Sequence, residues 1–143
     1  MVFKKTFDII VYETENFVVQ QDWEVPIIGF FVLAPKRKVK SITEFSKEES
    51  HELMDILRKV RGTMNKILKI KEICIFQDEK TKFDFHIWIL PRYDWMDKIG
   101  HQPIKEIPSL KEILKYARKN MKTSKNITAV KNAAKKVKKY LVQ

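Results

Sequence analysis

Between residues 83 and 90 two kinds of side chain take turns: Phe83, Phe85, Ile87 and Ile89 alternate with Asp84, His86, Trp88 and Leu90. Successive side chains of a strand point to opposite faces, so this segment predicts one apolar face and one that carries an acid, an imidazole and an indole. Residues two apart stand side by side, which puts Asp84 and Trp88 on either side of His86. An imidazole titrates near neutral pH and serves as a base or nucleophile. A carboxylate beside it can hold the ring by a hydrogen bond or favour its charged form, and an indole offers a flat surface for a base or a ribose. On pattern alone, a structural histidine on a half-exposed strand is the commoner case, so the weight rests on what surrounds it.

The surrounding elements form an orderly set. Ile9–Tyr12, Phe17–Gln20 and Gly29–Ala34 are rich in β-branched and aromatic residues and predict three strands, the third closed by Pro35. Thr14-Glu15-Asn16 makes a tight turn, and residues 25–29 a longer irregular connection. Ser46-Lys47-Glu48-Glu49 is a capping box. It opens a long helix whose Leu53, Leu57, Val60, Met64 and Leu68 recur at steps of three and four, with Gly62 as a weak point. Strands at Glu72–Gln77 and Phe83–Leu90 complete the body. Five strands and one long helix predict an α+β fold with an antiparallel sheet. After Pro91 the pattern turns helical, with Ser109 as a cap for Leu110–Asn120 and a last helix from about Asn126.

The net charge of +11 is unevenly spread: residues 97–143 hold 13 of the 29 Lys and Arg but only 3 of the 18 Asp and Glu. A nearly neutral body, residues 1–96, is thus expected to carry a basic helical extension, residues 97–143, packed on the same domain. The apolar side of its last helix, with Ile127, Val130, Ala134, Val137 and Leu141, is expected to lie on the body. Its lysines form either a solvated face or a contact for nucleic acid or polyphosphate. Cys74, the sole cysteine, lies in the apolar run 73–76 and reads as a buried structural thiol. The apolar stretch after Lys4 and Lys5 is broken by Asp8 and ends at Glu13, too short for a signal peptide or a membrane span, so a cytoplasmic protein without a membrane contact is expected.

The run from Asp84 through Leu90-Pro91-Arg92 resembles the signature of the histidine-triad superfamily, in which three histidines alternate with apolar residues ahead of Leu-Pro-Arg. The block from Gly29 to Arg37, followed by residues 39–46 and the long helix, is similar to that superfamily's second block. The resemblance covers residues 9 to 96 and implies a five-stranded antiparallel sheet with a long helix packed on it. It also implies a nucleotide or dinucleotide substrate, with His86 as the nucleophile that attacks an α-phosphate. By position it further implies that Asp22 holds ribose hydroxyls, that Gln77 supplies a polar amide, that Thr81 contacts phosphate oxygens, and that the chain forms a homodimer. Asp84 and Trp88 stand where the first and third histidines would be, and Asp78-Glu79-Lys80-Thr81-Lys82 replaces a glycine-rich turn. Neither a metal nor another cofactor is expected, and His51 and His101 read as exposed polar residues. Tyr93-Asp94-Trp95 either closes a pocket, forms a dimer contact or simply packs. The implied activity is a nucleotide hydrolase or transferase. The competing readings are a nucleotide-binding module that has lost efficient hydrolysis and a nucleic-acid-binding protein that acts through its basic tail.

Overall fold

The computed structural model describes residues 9–99 and 110–142. Five strands, β1 (Ile10–Glu13), β2 (Phe17–Gln21), β3 (Phe31–Pro35), β4 (Ile73–Phe76) and β5 (Ile87–Pro91), form one sheet in the order β1-β2-β3-β5-β4. Every neighbouring pair is antiparallel. Three helices accompany them: α1 (Lys47–Leu68), α2 (Leu110–Asn120) and α3 (Ser124–Leu141). The expected α+β plan with a five-stranded antiparallel sheet and one long helix is the observed one.

Period-two alternation gives the sheet two buried faces. Phe17, Val19, Phe31, Leu33, Ile87 and Ile89 pack in one cluster with Leu53, Ile56, Val60 and Met64 of α1 and with Ala134, Val137 and Leu141 of α3. On the opposite side Leu90, together with Val25, Ile27, Phe30 and Met96, packs against Ile113 and Ala117 of α2. The two C-terminal helices therefore cover different faces. The last one is as much part of the core as α1.

Local chemistry fixes the ends of the elements. Ser46 caps α1: its hydroxyl accepts the Glu49 N–H, and the Glu49 carboxylate accepts the Ser46 N–H in return. Arg37 grips the same carboxylate through two nitrogens, both at 2.8 Å, and so ties the turn after β3 to the start of α1. Arg37 and the Ser46 amide together hold the Glu49 carboxyl down to about 2. Gly29 precedes β3 at φ +79°, and a Cβ there would meet Ile70 Cδ1 at 2.7 Å, so the position needs glycine twice over.

Two expectations are corrected. The strand foreseen at 83–90 begins only at Ile87 and runs to Pro91. Ahead of it the pairing with β3 stops at Leu33 and Ile87, although β3 runs on to Pro35, and Phe85 N–H instead donates to the Val39 carbonyl at 2.6 Å. The last helix starts at Ser124 rather than near Asn126, because the Thr123 hydroxyl accepts the Asn126 N–H and caps it. The proposed cap Ser109, and also His101, lie outside the described residues.

Candidate functional site

β5 delivers the chemistry. His86 sits immediately before the strand, 2% exposed, and Trp88 one pleat further on. Their rings meet edge to face with centroids 4.0 Å apart. Trp88 in turn stacks on Phe76 of β4 at 4.8 Å. The register explains this: Gln20, Val32, Trp88 and Phe76 face one another in a row across β2, β3, β5 and β4. The imidazole thus rests on an aromatic wall that the pairing of three strands holds in place.

Asp84 acts on His86 otherwise than alternation predicted. Because Asp84 precedes the paired part of β5, it is its backbone carbonyl that meets the imidazole, 2.8 Å from Nδ1. A carbonyl oxygen only accepts, so Nδ1 carries the proton. In the neutral ring the lone pair is then left on Nε2, the form that a nucleophile or phosphate-proton acceptor needs. Burial pushes the imidazole below its usual value of 6.5, opposed by the Asp84 carbonyl. The ring is therefore biased toward the neutral state at neutral pH.

Of the other sequence-derived residues, Gln77 and Thr81 lie in the β4–β5 connection that leads into His86, whereas Asp22 lies towards the opposite end of the sheet, beyond the row of Gln21, Phe31, Ile89 and Ile75. Asp22 follows β2, where its N–H continues the ladder to the Phe30 carbonyl at 2.8 Å and its Oδ1 accepts the Val25 N–H at 2.9 Å. Burial pushes its carboxyl up to about 6, the Val25 amide opposing. Gln77 leaves the end of β4 with its Nε2 buried and without a hydrogen-bond partner. A buried amide donor with no acceptor costs about 1–3 kcal/mol, and a bound oxygen ligand would recover it. The Thr81 hydroxyl is engaged within its own loop, bonded to the carbonyl and the N–H of Phe83 at 3.1 and 3.2 Å. It shapes the loop rather than standing free.

Some contributors escape sequence reasoning. Gln21, buried at the end of β2, donates through Nε2 to the carbonyls of Asp22 and Ile27 at 2.9 and 3.0 Å and so braces the loop that carries Asp22. Its sole sequence signal is a second polar residue at the end of an apolar strand. The Tyr93 hydroxyl donates to the Ile28 carbonyl at 2.6 Å, which fastens the same loop from the far side. Burial pushes that phenol up to about 12. Tyr93 therefore packs and braces. Lys40 reaches across to the segment before His86, and nothing in its own neighbourhood of the sequence marks it. Among the described residues no three His, Cys, Asp or Glu side chains converge as a metal site.

Solved structures share the fold, in which an antiparallel β1-β2-β3-β5-β4 sheet carries one long helix. A hypothetical histidine triad nucleotide-binding protein from Sulfolobus tokodaii superposes with a TM-score of 0.64 at 16% identity, covering 96% of this chain and 88% of that one. A Hit-like protein involved in cell-cycle regulation from Bartonella henselae gives 0.60 at 17% identity, with 94% and 88% covered. A HIT family protein from Bacillus subtilis gives 0.58 at 18%, with 85% and 93% covered. No family model and no curated protein matches the sequence. The chain has the histidine-triad fold. At these identities the likeness speaks for the fold alone.

Proposed function

We propose that the protein binds nucleotides beside His86 and acts as a hydrolase or transferase at the α-phosphate of a nucleotide conjugate, such as a dinucleoside polyphosphate or a nucleoside phosphoramidate. The observation that carries this reading is the Asp84 carbonyl on His86 Nδ1, which leaves the Nε2 lone pair for phosphorus. In the first step Nε2 bonds to the α-phosphorus, and the bond to the leaving group breaks with its electron pair. In the second, water attacks the phosphorus, the N–P bond returns its pair to Nε2, and the mononucleotide departs. Trp88 donates through its indole N–H but carries no proton, so the leaving group takes its proton from elsewhere. The unpartnered Gln77 amide suits a phosphate oxygen, and the half-buried Asp22 carboxyl suits ribose hydroxyls. That one similar structure is of a histidine triad nucleotide-binding protein supports the substrate class.

In this reading residues 1–96 are the nucleotide-binding body and residues 97–143 an extension of the same domain, and the protein works in the cytoplasm. No described helix is long and apolar enough to cross a membrane. β4 lies at the sheet edge with Ile75 half exposed, which favours a homodimer joined edge to edge. The test is turnover: wild type releases a mononucleotide from such conjugates, while His86→Asn binds but does not turn over. Equal hydrolysis by His86→Ala would sink the nucleophile. Wild type that binds without turnover would leave a nucleotide-binding module.

A second reading has its own observation. α3 contains no acidic residue in 18 positions, and Lys125, Lys135, Lys136, Lys138 and Lys139 are all exposed while its apolar side is buried. That face suits contact with a nucleic acid or polyphosphate.

A further inference from the structure

The connection from β4 to β5 has no ladder of its own before Ile87, yet it must present one carbonyl to His86 within hydrogen-bond range. What holds it comes from the segment that follows β3. The Lys40 ammonium donates to the carbonyls of Thr81 at 2.9 Å and Phe83 at 3.0 Å. One residue earlier, the carbonyl of buried Val39 accepts the Phe85 N–H at 2.6 Å. Asp84 lies between these fixed points, and its carbonyl is the one that bonds His86.

The clamp is itself anchored. The Lys40 and Ser41 N–H groups both donate to Glu44 Oε2, at 2.8 and 2.7 Å, and Glu44 belongs to a short helical turn capped by Ser41. An ammonium has three rotatable donors and no acceptor, so it can bridge two carbonyls at once. No other side chain of the described residues is seen to bridge both carbonyls.

We propose that Lys40 is the positioning residue for His86: by holding the Thr81 and Phe83 carbonyls it sets the Asp84 carbonyl that keeps the proton on Nδ1 and the lone pair on Nε2. The catalytic consequence rests on the reading of His86 as nucleophile, whereas the tautomer stands apart from it. Lys40 acts through the loop and not on the substrate. Lys40→Met keeps the length and the apolar stem but loses the donors, and Lys40→Arg restores two of them.

The experiment is nitrogen-15 NMR of the imidazole in ligand-free wild type, K40M and K40R. Thermal melting confirms that each is folded. Wild type is expected to show the Nδ1–H tautomer, K40M a mixture of both tautomers, and K40R a return toward wild type. If the enzyme turns over, K40M should lower kcat by about tenfold with KM changed by less than about twofold, as expected for loss of orientation rather than of binding. The proposal is overturned if K40M keeps the pure Nδ1–H form, or if it raises KM and spares kcat, since Lys40 would then hold substrate directly. Absence of nucleotide turnover in wild type would refute the proposed activity and leave the tautomer result to decide the role of Lys40.

Discussion

The Trp88 indole and the His86 imidazole meet edge to face with their centroids 4.0 Å apart, and the same indole stacks on Phe76. Trp88 therefore contributes shape beside the imidazole, since an indole N–H donates but takes up no proton. Trp88→Phe should keep both ring contacts and the fold. Trp88→Ala should cost about 2–3 kcal/mol, less than for a fully buried aromatic, and loosen the imidazole. Chemical denaturation checks the first statement, and imidazole line widths the second. Equal stability of the two variants would contradict the wall.

The buried imidazole predicts an acid limb. Burial lowers its pKa, so the neutral, lone-pair form persists below pH 6.5 and is lost only on further acidification. The rate, kcat/KM, should be flat around neutrality and fall with a midpoint below 6.5. Stability has the same sign: the unfolded histidine binds its proton at higher pH than the folded one, so stability falls as pH drops below the unfolded value. A midpoint above 6.5 in either profile would contradict the environment described here.

Asp22 works in the opposite sense. Its folded carboxyl titrates at about 6 against an ordinary 3.8, because burial disfavours its charge. Its contribution to stability is therefore complete below pH 3.8 and is lost as pH rises through about 6. Asp22→Asn should stabilise the unliganded protein at pH 7 by on the order of 1 kcal/mol, with the gain gone in acid. Asp22→Ala should weaken mononucleotide binding measured by calorimetry. Unchanged affinity would remove the ribose role.

Gly29→Ala combines a positive φ with a Cβ set 2.7 Å from Ile70 Cδ1. The backbone strain and the overpacking should together cost about 2–4 kcal/mol. Urea melts give the cost, and a loss below about 0.5 kcal/mol would mean the loop from Asp22 to Phe30 is free to shift.

The lysines and the apolar residues of α3 should separate cleanly. Lys135→Glu with Lys139→Glu alters only exposed positions and should leave stability within about 0.5 kcal/mol, while it weakens binding to a long oligonucleotide and flattens its salt dependence. Val137→Asp places a charge among Val11, Leu53 and Val60 and should unfold the chain. If the lysine pair has no effect on oligonucleotide affinity, the face is merely solvated.

Elements with a strong local signal were legible in the sequence. The Ser46–Glu49 capping box, the apolar stripe of α1 and the five β-rich runs each carry their cause within a few residues. His86 and Trp88 were legible as neighbours, because alternation survives on both sides of Ile87. What escaped depends on partners distant in sequence. The pairing of β5 with β3 ends at Leu33 and Ile87, and the grip on the residues before it comes from Val39 and Lys40. The apolar side of α3 was legible from its spacing and lies in the core, whereas charge alone set the tail apart. Net charge says nothing about the apolar side of a helix. The Asp84 carbonyl was out of reach for a different reason: a backbone atom leaves no trace in residue type.

Val11 of β1 and Leu141 of α3 belong to the same apolar cluster, and α3 packs directly on β1 as well as on α1. The consequence is kinetic. β1 meets α3 only after every element between them has been made, and contacts of such long sequence separation must overcome a large loop-closure entropy before they return any stability. Refolding should therefore be slow for a chain of this size. A nascent chain that lacks α3 would show β1 and the α1 stripe to the chaperones that recognise exposed apolar surface.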